Sequence, residues 1–327
     1  MQTDIAKELA QAKLTYDTMA KRILSNKVIL AWILKSVMPE YADIEINTIQ
    51  NYIENDPEIS SVSVLPGKTN TGKIQGDATE DKIPGEGNIY FDIRFHARLP
   101  KESGTADIII NIEAQKNFHP GYSLVTRGIF YCARLLSSQA GIDFVIPKYD
   151  DIKKVVSIWV CMDAPDYMGN AITSYQLNKK DLVPGYPDKP EEYDKISLVM
   201  ICLNDKCENK LEITNLLNTI FTNQKSYQEK RKKLETEFQI SMNDNLGKEM
   251  DTMCNVSDYI EEKGIEKGIE KGREEGSNQQ IQLFVTTLLK NNFSVDSIID
   301  LIAQSNHITR EAAEVIVKKY AAAPAER

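Results

Sequence analysis

The chain has 327 residues, of which 42% are hydrophobic and 27% charged, a composition typical of a folded protein with a sizeable core. Its formal net charge of −9 excludes a protein that coats nucleic acid with a broadly basic surface, although it is compatible with a basic groove. Because the sequence has neither an apolar run of membrane-spanning length nor a signal-peptide core at its start, we expect a cytoplasmic protein without membrane contacts.

The cysteine and histidine residues argue against a disulfide-stabilised fold and against a zinc site. The five cysteines form no C-x-x-C pair and are odd in number, which favours reduced thiols over a disulfide framework. The three histidines are too scattered for a zinc site, and no Walker-type loop, dinucleotide fingerprint or G-x-S-x-G motif occurs.

The N-terminal region predicts helices. Residues 4–20 indicate a short polar helix, which we interpret as an N-terminal arm over residues 1–20. Apolar positions from Lys21 to Met38 predict a buried helix, and residues 44–55 predict a second helix with Asn47 at its cap.

A loop and a β-hairpin follow. Residues 66–88 are rich in Gly, Thr, Lys and Asp without periodicity and predict a loop. Residues 89–116 consist of two alternating runs separated by a Pro, Gly and charged cluster, which predicts a hairpin. When the hairpin is folded symmetrically about this cluster, Asp92 lies directly opposite Glu113.

This register sorts the hairpin into two faces, because strand side chains alternate. The apolar face would carry Ile89, Phe91, Ile93, Phe95, Ala97, Ile108, Ile110, Ile112 and Ala114. The polar face would carry Tyr90, Asp92, Arg94, His96, Arg98, Asp107, Asn111, Glu113 and Gln115, interrupted by Ile109. Opposed residues have Cβ atoms about 4.5–5.5 Å apart, and two carboxylates at that distance repel unless a cation lies between them. The pair Asp92 and Glu113 therefore predicts a metal site.

The region after the hairpin predicts a helix and further strands. We expect a helix over residues 123–139, with Arg127 and Tyr131 on a polar stripe beside the buried one. Strands are predicted over residues 142–146, 155–162 and 195–203. Residues 163–194, between the last two strands, are predicted to form a loop. Residues 21–207 are thus predicted to form an α/β domain in which helices flank a mixed sheet.

The C-terminal third predicts helices. Residues 208–262 read as a helical extension, and residues 277–327 as a small module of three short helices. Between them, residues 263–276 contain the repeat GIEKGIEKGREEG, either as a semi-flexible linker or as a helix whose glycine row permits close approach of another helix. The second alternative predicts a homo-oligomer that forms through this C-terminal region.

Taken together, an Asp on one strand, a Glu-x-Gln on the next and a following helix resemble the PD-(D/E)XK nuclease superfamily. Within it, the chain is similar to the branch of transposase-associated, recombination-promoting nucleases. The residues that carry this resemblance are Asp92, Glu113 to Gln115 in NIEAQK, and Arg127 with Tyr131 in TRGIFYCARLL; the glycine repeat resembles that branch as well. The resemblance implies a restriction-endonuclease-like fold and a metal-dependent DNA endonuclease acting in recombination or mobile-element processes.

The resemblance also implies a catalytic site. Mg²⁺, or Mn²⁺ in its place, would bind Asp92, Glu113 and the carbonyl of Ala114, and Gln115 would orient the attacking water. Gln115 departs from the family pattern, because many members have Lys there, and Lys116 comes one residue late. A bulge could bring Lys116 round, another base could replace it, or catalysis could be weak.

Arg94 could also take over the work of that lysine, and with Arg127 and Tyr131 it is a candidate substrate-binding residue. The alternative is a solvated sheet face on which Asp92 and Glu113 pair with Arg94 and Arg98. Two other functions stay open: a catalytically weak DNA-binding or self-assembling relative, and an interaction protein that does not bind nucleic acid.

Overall fold

The computed structural model describes residues 2–53, 58–59, 80–83, 87–101, 104–208, 211–222, 225–242 and 245–321. The chain divides into two compact units, Met1–Tyr259 and Ile260–Arg327. The predicted α/β architecture is confirmed: the first unit has a mixed sheet flanked by helices, and the C-terminal region is helical. In the described part of the chain, no helix combines the length and apolarity needed to cross a membrane.

The strands that the structure describes are β1 (Glu58–Ile59), β2 (Glu80–Ile83), β3 (Gly87–Tyr90), β4 (Ile93–Lys101), β5 (Gly104–Gln115), β6 (Lys154–Cys161), β7 (Ala171–Gln176) and β8 (Ile196–Cys202). One sheet has the order β1-β4-β5-β6-β8-β7, and β2 and β3 form a separate antiparallel pair. Strands β5, β6 and β8 are parallel, whereas β4 and β7 run antiparallel to their neighbours.

The described helices are α1 (Gln2–Leu24), α2 (Lys27–Val37), α3 (Ile46–Tyr52), α4 (Leu124–Ser137), α5 (Pro190–Tyr193), α6 (Glu212–Phe221), α7 (Tyr227–Glu237), α8 (Asn245–Lys290), α9 (Val295–Ser305) and α10 (Arg310–Ala321). Helix α4 packs on β6 and β8, and α1 packs on β5.

The predicted hairpin register is confirmed from residue 93 onwards, whereas Ile89 and Tyr90 belong to β3 and pair with β2. Strands β4 and β5 pair from Ile93 opposite Ile112 to Lys101 opposite Gly104. Asp92 immediately precedes β4, so it stands across from Glu113 just past the end of the ladder. Of the predicted loop over residues 66–88, residues 66–79 and 84–86 lie outside the described residues, and the remainder forms β2 and β3.

The predicted face assignment is wrong for Phe91. Its ring contacts the Tyr131 ring edge-on at 5.3 Å between centroids, so Phe91 packs on the α4 side rather than beside Ile93. The physical reason is that Phe91 and Asp92 form a bend before β4, where strict strand alternation does not hold. The end of the polar face near Asp92 is also not solvated, since Asn111 and Glu113 are almost completely buried.

Near the N-terminus, the predicted helix from Lys21 to Met38 begins at the wrong residue. Helix α1 continues to Leu24, and α2 begins at Lys27 after Asn26 caps it by accepting a hydrogen bond from the Val28 amide at 3.0 Å. Tyr16 and Ala20 of α1 are buried, within the segment that we interpreted as an arm. The predicted second helix is shorter, and Glu45 rather than Asn47 occupies its N-cap position.

The strand predicted over residues 142–146 is also wrong. After α4 the chain turns, with the Gly141 amide donating to the Phe144 carbonyl at 2.8 Å, and only an isolated bridge joins Ala140 to Phe144. The predicted strands over 155–162 and 195–203 are confirmed as β6 and β8. The predicted loop over 163–194 contains the edge strand β7, whose polar sequence AITSYQ gives no apolar alternation.

In the C-terminal region, the glycine repeat lies within the continuous helix α8. The end of α8 packs with α9 and α10 around a small core of buried residues: Val285, Ile298, Ile299, Ile302, Ala313 and Val317. Three helical segments are therefore present in residues 277–321, the first of them as the end of the long helix.

Candidate functional site

The two predicted acidic residues are brought together by reciprocal hydrogen bonds. The Asp92 amide donates to Glu113 Oε1 at 3.1 Å, and the Ala114 amide donates to Asp92 Oδ2 at 3.0 Å. Both residues are buried: 7% of Asp92 and 4% of Glu113 is exposed. Strand β5 thus positions Glu113, and the bend before β4 positions Asp92 against the same stretch of backbone.

The Ala114 carbonyl lies on the same side of β5 as Asp92. In an extended strand the amide and carbonyl of one residue point to the same side. Because the Ala114 amide points at Asp92, its carbonyl oxygen points towards that side as well.

A chain of hydrogen bonds fixes the Glu113 carboxylate from the sheet. Asn111 Nδ2 donates to Glu113 Oε1 at 2.6 Å. Ser157 Oγ in turn donates to Asn111 Oδ1, and Trp159 Nε1 donates to Ser157 Oγ at 3.0 Å. The bonds that Glu113 receives from the described residues both end on Oε1.

The Glu113 carboxyl group is in an electrostatically unfavourable position. Burial, followed by the neighbouring Asp92 charge, raises the pKa of Glu113 well above its usual value. The Asp92 amide and the positive charges of Arg127 and Lys21 counteract this shift only in part. An additional cation beside Glu113 would relieve the cost of its ionised form.

Sequence reasoning missed Lys21, which the fold places at the centre of the site. Its Nζ lies 2.8 Å from Asp92 Oδ1 and 2.8 Å from Asp17 Oδ2, and the residue is 2% exposed. Burial lowers the pKa of Lys21, but the charges of Asp92 and Asp17 outweigh it and raise the pKa overall. The i,i+4 spacing of Asp17 and Lys21 signals an ion pair on a helix, but it does not point to Asp92.

Arg127 and Tyr131 lie together beside Glu113. Arg127 donates to the Tyr131 hydroxyl at 2.7 Å and to the Tyr122 hydroxyl at 2.9 Å, and its guanidinium carbon is 5.2 Å from the Trp159 ring centroid. Burial, followed by the Glu113 charge, raises the pKa of Tyr131 to about 12. The aromatic side chains therefore hold the charged, planar guanidinium group of Arg127 near the carboxylates.

The remaining predicted residues occupy different positions. Arg94 lies opposite Asn111 on β4, and its side chain is buried on the same face as Asn111. Gln115 Nε2 donates to the Asn117 carbonyl, so the amide is tied to the turn after β5.

Lys116 lies against Tyr16 of α1. Its Nζ lies over the face of the Tyr16 ring, 3.9 Å from the ring centroid. Both residues line a cavity of about 330 Å³ beyond the ends of β6 and β8, together with Asp163 and Asp205.

The residues present fit a hard divalent cation. Among the described residues, no group of three or more His, Cys, Asp and Glu side chains could hold a metal ion. Two carboxylates, one carbonyl and water are nevertheless a ligand set that Mg²⁺ accepts, since it keeps several of its waters. The buried Glu113 carboxyl group, with its raised pKa, is the structural feature that such an ion would relieve.

Comparison of the chain with protein-family models, curated proteins and solved structures gave no match.

Proposed function

We propose that this chain is a metal-dependent DNA endonuclease of the PD-(D/E)XK type, with Mg²⁺ or Mn²⁺ held by Asp92, Glu113 and the Ala114 carbonyl. One observation carries the proposal: reciprocal hydrogen bonds hold two buried carboxylates side by side. The raised pKa of Glu113 marks that arrangement as one that a cation would stabilise.

The bound ion would supply Lewis-acid catalysis for phosphodiester hydrolysis. The chain's own residues would position the substrate: the Arg127 fork matches a phosphate group, and Tyr131 and Tyr122 hold that fork in place. Gln115 would orient the attacking water after its amide leaves the Asn117 carbonyl.

The resemblance of the Asp, Glu-x-Gln and helix motif to transposase-associated nucleases supports the restriction-endonuclease-like fold and a role in recombination or mobile-element processes. The pairing of β4 with β5 supports the same proposal, because it brings Asp92, in the bend before β4, close to Glu113 on β5.

The test is nicking of supercoiled plasmid with Mg²⁺, with Mn²⁺ or with chelator. We expect metal-dependent nicking by the wild type and a loss of at least about 100-fold in Asp92→Asn and Glu113→Gln, because removing one of two ligand charges weakens both metal binding and transition-state stabilisation. Asp107→Asn is the matched control, since Asp107 is an exposed carboxylate on the same hairpin, and it should nick within about twofold of the wild type.

Full activity in either ligand variant would contradict the assigned site. A wild type that binds DNA with a steep salt dependence but does not nick it would favour the catalytically weak DNA-binding relative. A wild type that does neither would favour an interaction protein.

A further inference from the structure

The Lys21 ammonium lies on the carboxylate to which we assign the metal. Nζ is 2.8 Å from Asp92 Oδ1, and the Lys21 side chain is 3% exposed. The other Asp92 oxygen, Oδ2, accepts the hydrogen bond from the Ala114 amide. The ammonium and an incoming ion would therefore meet at the same oxygen.

Lys21 has a second acceptor at the same distance. Asp17 Oδ2, one turn earlier on α1, is also 2.8 Å from Nζ. The two carboxylates differ in exposure: 38% of the Asp17 side chain is exposed, against 10% of the Asp92 side chain. The ammonium thus bridges a carboxylate on its own helix and a carboxylate of the proposed metal site.

Electrostatics makes these two partners unequal once a metal arrives. A divalent ion on Asp92 repels an ammonium at contact distance, and buried charges are poorly screened. The flexible lysine stem allows the ammonium to shift by a small distance. Asp17 lets it do so without becoming a buried charge that has no partner.

We propose that Lys21 is an internal counter-ion that holds Asp92 until a divalent ion displaces it towards Asp17. The Asp17–Lys21 pair would then set the metal affinity of the site and keep Asp92 ordered before the metal binds. This inference rests on the proposed function, because it assumes that a metal binds Asp92.

The test is Mn²⁺ binding to the full chain by titration calorimetry, without DNA. Lys21→Met removes the competing charge and should bind Mn²⁺ at least tenfold more tightly than the wild type. Lys21→Gln, which stays neutral and can still donate to both carboxylates, should shift affinity in the same direction if the Met variant folds poorly. Lys21→Arg keeps the positive charge and should not tighten binding.

A double-mutant cycle separates the role of Asp17 from a direct effect on the ion. With Lys21 unchanged, Asp17→Asn should weaken Mn²⁺ binding at least fivefold, because the displaced Lys21 ammonium loses its acceptor. In the Lys21→Met background the same change should alter affinity by less than twofold. Lys7→Met is the matched control, because Lys7 is an exposed lysine on α1 about 21 Å along the helix axis from Lys21.

The outcomes distinguish this inference from the proposed function. If the wild type binds Mn²⁺ through Asp92 but Lys21→Met and Lys21→Gln bind equally or more weakly, Lys21 only supports the fold and the inference is overturned. Additive effects in the cycle would overturn displacement towards Asp17. If neither the wild type nor the Lys21 variants bind Mn²⁺, the metal site itself is wrong, and the inference falls with it.

Discussion

The Asp92 amide donates to the Glu113 carboxylate at 3.1 Å, while the Asp92 carboxylate accepts from the amide next to Glu113 at 3.0 Å. Each acidic residue therefore helps to orient the other, and Lys21 completes the arrangement from α1. This coupling makes the site part of the folded core, so changes there should alter stability as well as activity.

Asp92→Ala should lower the free energy of unfolding by about 1.5–3 kcal/mol in the absence of metal, because it removes hydrogen bonds to a charged group and one partner of a buried ammonium. Urea unfolding of both proteins in chelator measures this difference. Asp107→Ala, at an exposed carboxylate, should change it by no more than about 0.5 kcal/mol. Equal stability of Asp92→Ala and the wild type would show that the Lys21 contact contributes little.

Glu113→Gln should gain stability relative to the wild type as pH rises. Burial, followed by the Asp92 charge, raises the folded-state pKa of Glu113, so the folded state holds this proton more tightly than the unfolded state does. The wild type therefore loses stability as pH rises from the unfolded value, about 4.3, through the folded pKa, by at most about 1.4 kcal/mol per pH unit.

Glutamine has no proton to lose, so this loss is absent from the variant. Urea unfolding in chelator at several pH values from 4 to 8 measures the difference between the two proteins. A difference that is flat above pH 4, or that shrinks as pH rises, would contradict the assigned shift.

Arg127→Ala should weaken DNA binding about tenfold in the non-cleaving Asp92→Asn background, because a phosphate loses its charged fork. The logarithmic salt slope of binding should fall by about 0.9, as expected for one lost phosphate contact. Gel shifts at several salt concentrations measure both effects, with Lys7→Ala as the control for loss of a positive charge. An unchanged salt slope would mean that Arg127 only supports the aromatic cluster.

Gly128→Ala should destabilise the protein by about 1–3 kcal/mol through overpacking. A Cβ there would lie 2.6 Å from Leu198 Cδ1 and 3.2 Å from Trp159 Nε1, between α4 and the sheet. Gly264→Ala in α8 is the counterpart, because its Cβ would meet nothing within 4 Å. That change should stabilise the helix by about 1 kcal/mol, since alanine is the better helix former. Thermal unfolding of both variants measures these changes in stability, which should have opposite signs.

Sequence patterns were sufficient wherever a local period controls the structure. The alternation in residues 89–116 gave the hairpin and the register of residues 93–112, and helical spacing gave the helix α4. Sequence patterns gave the wrong secondary structure where the apolar or polar character of a segment does not match its position in the fold. The apolar residues 142–146 form a turn with Ile142 82% exposed, and the polar β7 joins the sheet edge.

The sequence by itself determined the register of β4 against β5, which brings Asp92 close to Glu113, because pairing two strands about a short loop is a matter of counting residues. Only the tertiary structure decided what surrounds them. Helix α1 brings Lys21 and Asp17 to Asp92, and α4 brings Arg127 towards Glu113. Both depend on how helices pack against the sheet, and no periodicity within one segment encodes which charge from a distant segment will be buried against it.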